Sequence, residues 1–118
     1  MFDFEYNGVR YAFDIRDADD MERYEKAMKE LAEEQQNAGG ETASARMRAA
    51  CASYRKLFDD IFGKGAGIAV CGEKDNTGTC SDAFYALLNF VADANAAENE
   101  RLAGLAEEYS RKRLGTKG

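Results

Sequence analysis

The chain has 118 residues, 45% hydrophobic and 32% charged, with a net charge of −6, three cysteines, and neither histidine nor proline. That length fits a single domain, 1–118, able to bury roughly 65% of its unfolded surface without metals or disulfides. The acidic balance argues against nucleic acid or anionic lipid as the main partner, and no run approaches the roughly 18 consecutive apolar residues of a membrane span.

Residues 1–16 read as a β-hairpin. Phe2, Phe4 and Tyr6, then Val9, Tyr11, Phe13 and Ile15, alternate with other positions around Asn7-Gly8, a pair that tolerates the positive φ values of a type I′ turn. A two-residue loop fixes the register. It sets Tyr6 against Val9, Phe4 against Tyr11 and Phe2 against Phe13, with Glu5 meeting Arg10 on the opposite face. Such a ribbon is marginal alone, so its aromatic face must lie on helices or gain strands, and its open edges can recruit another chain.

Residues 17–37 read as a helix, with Asp17 as N-cap, Asp19 and Asp20 in the first turn, and Met21, Tyr24, Met28 and Leu31 as the apolar stripe. Gly39-Gly40 ends it. A second helix over 42–62 starts from a Thr42 or Ser44 cap, turns Met47, Cys51, Tyr54, Leu57, Phe58, Ile61 and Phe62 inward, and stops at Gly63. Residues 63–80 hold five glycines and read as an irregular loop, of a length that is uncommon inside a compact domain and often functional. Within it the run Ile68 to Cys71 reads equally as a strand added to the hairpin or as a plug in the core.

Residues 81–114 form one uninterrupted helical pattern, with Ser81 as cap and Asp82 in the first turn. Phe84, Leu88, Val91, Leu102, Leu105 and Tyr109 recur in steps of four and three, and Asn95 and Glu98 fill the two positions between. Such a helix runs roughly 48 Å, whereas a folded chain of this length has a radius of gyration of about 13 Å. Part of it must protrude, and a protruding apolar seam needs another surface. Val91, Asn95, Glu98, Leu102, Leu105 and Tyr109 are therefore the expected partner-binding residues, the two polar ones setting register. Arg111, Lys112, Arg113 and Lys117 suit a helix C-terminus. A break around Asn95 to Asn99 would instead fold the end back on the body.

Catalytic and ligand-binding patterns are weak. Without histidine the commonest general base and metal ligand is missing. Ser53-Tyr54-Arg55-Lys56 fits the Ser-x-x-Lys pattern without its companion motifs. Gly63-Lys64-Gly65-Ala66-Gly67 follows a helix and lacks the order of a phosphate loop. Glu73, Asp75, Thr77 and Gly78 open like a calcium loop, yet Phe84 stands where the bidentate acid belongs. Cys71 and Cys80 lack the further ligands of a zinc site. Asp59 and Asp60 point apart on one helix. No catalysis, cofactor or metal is expected, and the odd thiol count, with no charged stretch before a long apolar run at the start, fits a reduced cytoplasmic setting.

Two stretches carry a family resemblance. The first runs from Tyr6 through Asn7-Gly8-Val9-Arg10-Tyr11-Ala12-Phe13-Asp14-Ile15-Arg16-Asp17-Ala18 to Asp19, and on into Tyr24-Glu25-Lys26-Ala27. The second is Leu57-Phe58-Asp59-Asp60-Ile61-Phe62-Gly63-Lys64-Gly65, continuing through Asp75-Asn76 and Cys80 into Asp82-Ala83-Phe84. In these the chain resembles small phage and prophage proteins of Gram-positive bacteria, encoded among tail morphogenesis genes. The resemblance implies an assembly chaperone for the tape-measure or tail-tube protein, or a minor structural component, in the host cytoplasm or the virion. No active-site residue transfers with it.

The expected fold is α+β and mostly helical: an N-terminal β-hairpin packed on two antiparallel helices, plus a long C-terminal helix. The expected function is non-enzymatic, through contacts with a phage tail protein, with a second copy, or with both. The alternative is a small ligand- or metal-binding regulatory module built on the 63–80 loop.

Overall fold

The computed structural model describes residues 2–37 and 39–115. Strands β1 (Asp3–Tyr6) and β2 (Val9–Ala12) pair antiparallel, with Tyr6 opposite Val9, Glu5 opposite Arg10 and Phe4 opposite Tyr11. Asn7 and Gly8 take φ values of 52° and 82°, as a type I′ turn requires. The Phe13 N–H donates to the Phe2 carbonyl at 3.1 Å and extends the ladder. Among the described residues the sheet has these two strands. Met1 lies outside the described residues.

The aromatic face of this ribbon lies on helices. Phe4 is buried, with its ring 6.1 Å from Phe58, 5.5 Å from Phe62 and 5.6 Å from Phe90, centre to centre. Phe13 meets Tyr24, Phe62 and Phe90 edge to face. Ring pairs of this kind add about 0.5–1.5 kcal/mol each beyond area burial. The hairpin is thereby fastened to three helices at once.

Helix α1 (Ala18–Asn37) starts where the Asp17 carboxylate accepts the Asp20 N–H at 3.0 Å and the Asp17 carbonyl accepts the Met21 N–H at 3.0 Å. Helix α2 (Ala43–Phe62) is capped by Thr42, whose hydroxyl accepts the Ala45 N–H at 3.1 Å, and closes at Gly63 with φ 113°. The two run antiparallel. Lys56 reaches back to Glu30 at 2.7 Å and the Gln35 amide donates to the Tyr54 hydroxyl at 3.4 Å. Ala27 is buried in α1 beside Leu31, while Met21, Tyr24 and Met28 are half-buried against the core; a reading of large apolar side chains alone misses the alanine.

The stretch from 63 to 80 is more regular than the sequence suggests. Helix α3 (Ala66–Cys71) occupies its middle, so the run Ile68 to Cys71 adds no strand to the hairpin; it is helical and fills the core with Val70 and Cys71 while Ile68 stays exposed. The cause lies in the preceding helix. Asp59 accepts the Gly67 N–H at 2.7 Å, and the backbone of Gly67 lies so close to α2 that an added Cβ would fall 2.3 Å from the Arg55 carbonyl oxygen. Arg55 then gathers the remaining loop. Its guanidinium donates to the carbonyls of Gly72, Glu73 and Lys74 at 3.0, 3.2 and 2.7 Å, and to the Asp75 carboxylate at 2.8 Å.

Helix α4 (Thr77–Gly115) begins four residues ahead of the expected cap, Ser81. Asn76 caps it instead, its side-chain oxygen accepting the Thr79 N–H at 3.1 Å and its carbonyl the Cys80 N–H at 3.0 Å, while Ser81 donates back to Gly78 within the first turns. The helix continues unbroken through Asn95 to Asn99. Its 39 residues stretch the molecule to 75 × 29 × 22 Å with a radius of gyration of 19.0 Å. The architecture is α+β and mostly helical, and among the described residues no helix is long and apolar enough to cross a membrane.

Two glycines separate close packing from open helix. Gly67→Ala should lower the unfolding free energy by about 1–3 kcal/mol, because α3 must move off α2 to make room. Gly104, with nothing within 4 Å of a built Cβ, should behave oppositely: Gly104→Ala should raise helix content at a gain of about 0.5–1 kcal/mol locally. Urea titration followed by circular dichroism measures both.

Candidate functional site

Helix α4 divides into a part the body covers and a part it leaves bare. Cys80, Ala83, Leu87, Val91 and Ala94 are buried in turn, and Glu98, 8% exposed, is the last buried residue along the helix. At about 100° per residue, Leu102, Leu105 and Tyr109 continue the same line. They are 50%, 49% and 65% exposed. From Asn99 to Leu114 every residue is exposed, an arm of about 24 Å.

The six residues expected to meet a partner therefore fall into four groups, Glu98 at the boundary being one of them. Val91, 6% exposed, is already occupied by the chain's own core and is no open surface. Asn95 is exposed but off the line, next to the buried Ala94. The buried line runs through Leu87 rather than Leu88, because Phe84 and Leu88 flank one side of the contact and Phe90 the other, all half-buried. Leu102, Leu105 and Tyr109 remain as the stripe a partner can reach.

Glu98 marks the boundary, and what covers it is charge. Arg101 donates to its carboxylate at 2.6 Å, and the Arg16 guanidinium stands 3.8 Å away. Arg16 in turn lies over the Phe2 ring and is fixed by Asp14, which accepts its Nε and Nη2 at 2.9 and 3.0 Å. A collar of four charged side chains thus closes the body where the arm leaves it. The sequence signals are the opposite charges of Glu98 and Arg101 three residues apart on a helix and the Asp14-x-Arg16 pair just ahead of the first helix; neither suggests that the two pairs meet.

Asp14 reports on that collar. Hydrogen bonds from the Arg16 side chain, then from the Arg16 backbone N–H, lower its pKa from 3.8 to about 2. The folded value lies below the unfolded one, so the stabilisation is complete above pH 3.8 and disappears as pH falls toward 2. Arg16→Ala should move this part of the acid transition upward, toward the ordinary carboxylate range; an NMR titration of the Asp14 carboxyl carbon measures it.

The other candidate groups are engaged in structure. Ser53 donates to the Ala49 carbonyl at 3.1 Å, and Lys56 is held charged between Glu30 and Asp60, which raise its pKa. Of the calcium-like positions, Asp75 pairs with Arg55, and Thr77 and Gly78 lie in the first turn of α4. The loop carbonyls that a cation would use point at the Arg55 guanidinium. Among the described residues no group of three or more Cys, Asp or Glu side chains is placed to hold a metal ion.

Cys51, Cys71 and Cys80 are buried free thiols on α2, α3 and α4. Burial, with the neighbouring Cys80 thiol second, pushes Cys51 up to about 11, and burial also raises Cys71 and Cys80. The native protein should therefore react negligibly with a thiol reagent at pH 8, and all three cysteines should react once it is denatured.

The chain matches a family of unknown function, DUF6673, over residues 7–117, and it belongs to that family. No curated protein and no solved structure matches it. Residues 7–117 run from the hairpin turn past the end of the arm, so the match takes in the whole site.

Proposed function

We propose that the protein works without catalysis, by protein–protein contacts made through the exposed stripe of its C-terminal arm. The observation that supports this most directly is the continuation of the buried line of α4 into Leu102, Leu105 and Tyr109, each about half exposed or more on a rod that leaves the body. Apolar side chains held at helical spacing on a protruding helix are suited to a groove or a second helix. The resemblance of the hairpin and of the Leu57 to Phe84 region to phage tail morphogenesis proteins supplies the setting. In that setting the arm engages a tail component, such as the tape-measure or tail-tube protein, in the cytoplasm of the host during assembly.

Leu102→Asp with Leu105→Asp should leave the body folded, since no body residue depends on either side chain. Affinity-tagged protein expressed in infected cells should co-purify with an identified tail protein, and the double variant should lose at least tenfold of it. Equal recovery of tail proteins by both forms would refute the arm as the contact surface. Recovery of no tail protein by either would refute the setting.

A further inference from the structure

We propose that α3 and the loop behind it form a hinged lid over the three thiols, and that opening of this lid admits an oxidant of the peroxide class, which joins Cys71 to Cys80 in a disulfide.

Glycine supplies the hinges. Gly63 and Gly65 ahead of α3 and Gly72 behind it have φ of 113°, 93° and 84°, a region that other side chains rarely enter. At each of the three an added Cβ would meet nothing within 4 Å, so no neighbour is wedged against these turns.

The apolar anchorage of the lid is small. Ala66, Gly67, Val70 and Cys71 are buried, whereas its largest side chain, Ile68, is 53% exposed. None of these belongs to the ring cluster that joins the hairpin to α1, α2 and α4. What keeps the lid closed is polar and comes chiefly from two side chains of α2. Asp59 accepts the Gly67 N–H, and Arg55 binds three loop carbonyls and the Asp75 carboxylate; the hairpin tip adds a longer bond, from the Asn7 amide to the Ala69 carbonyl at 3.4 Å. A segment held by few apolar contacts opens at a smaller cost than the whole fold.

Beneath the lid lie the thiols. Cys71 ends α3, Cys80 stands near the start of α4 and Cys51 sits in the middle of α2, and the Cys80 thiol is hydrogen-bonded to both of the others. Closed, all three are buried, neutral and unreactive. Cys71 and Cys80 flank the loop that Arg55 tethers, so opening carries these two toward water and restores ordinary thiol reactivity, while Cys51 stays fixed in α2.

The chemistry then balances in two steps. Peroxide takes two electrons from one exposed thiol, which becomes a sulfenic acid as one water leaves; on reclosing, the neighbouring thiol attacks that sulfur, the S–S bond forms and the sulfenic oxygen departs as a second water. The bond does covalently what Arg55 does by hydrogen bonds. It fixes the lid shut and pins the start of α4 until a reductant releases it. In a reducing compartment a disulfide of this kind is transient and redox-sensing.

Alkylation resolved by residue tests the lid. On the native protein over long incubation, a small reagent should modify Cys71 and Cys80 ahead of Cys51, an order that needs no variant to fold. Arg55→Ala should speed modification of those two at least tenfold with helix content preserved, and Asp59→Ala, which cuts the other hold, should act in the same direction. Equal rates at all three cysteines, matching the rate of global unfolding, would overturn the lid. Prolonged treatment with hydrogen peroxide should give a Cys71–Cys80 disulfide on peptide mapping, with a raised melting temperature that falls back when reductant is added. A disulfide through Cys51, over-oxidation to sulfinic acid without a disulfide, or no oxidation at all would overturn the pairing.

Discussion

The packing of Phe4, stacked on Phe58 and Phe62 and edge to face with Phe90, is the contact from which the rest of the molecule takes its orientation. It joins the hairpin to α2 and α4 in one place, and Phe13 draws in Tyr24 of α1 beside it. A two-stranded ribbon has no stability of its own, and a solitary long helix has no reason to present one face rather than another. Clamped together, each fixes the other. Because α4 cannot turn about its axis inside this clamp, its exposed continuation presents Leu102, Leu105 and Tyr109 in a defined direction, toward the side on which the body lies.

The elements legible in the sequence are those whose cause is local. Asn7-Gly8 dictates a turn and therefore a register, and every predicted cross-strand pair from Glu5 to Arg10 is present. Asp17 and Thr42 cap helices because a short side-chain oxygen placed before a helix satisfies its first free N–H groups. The expected spans of the first two helices agree with α1 and α2 to within a residue. What escaped the sequence has its cause elsewhere in the chain. Helix α3 depends on Asp59 and Arg55, contributed by α2, and on a backbone approach that glycine alone permits at position 67. Asn76 displaced Ser81 as the cap of α4 because both are good caps and only the tethering of the preceding loop by Arg55 decides between them.

The candidate site was legible in part for the same reason. A heptad pattern reveals that a face is apolar without revealing how far along it the chain covers itself. Leu87 and Ala94 carry the buried line where a count of large side chains favours Leu88 and Asn95, since a small residue such as Ala94 marks close approach rather than absence of contact. Glu98 reads as an interruption in a seam, and in the fold it is the rim of the body, neutralised from both sides by Arg16 and Arg101. A buried carboxylate between two guanidiniums is a costly arrangement to disturb, which makes the rim a firm border between core and arm.

Asn76 and the covered turns that follow it have a mechanical consequence for the far end of α4. Starting a helix from coil is the unfavourable step, and a free peptide of about 16 residues is only marginally helical in water. The bare segment never faces that step, because it grows from turns the body already holds in shape. If the arm binds a protein as proposed, it does so as a preformed spike with little ordering left to do on docking. The same segment cut away at the rim would be a floppy peptide carrying the same side chains.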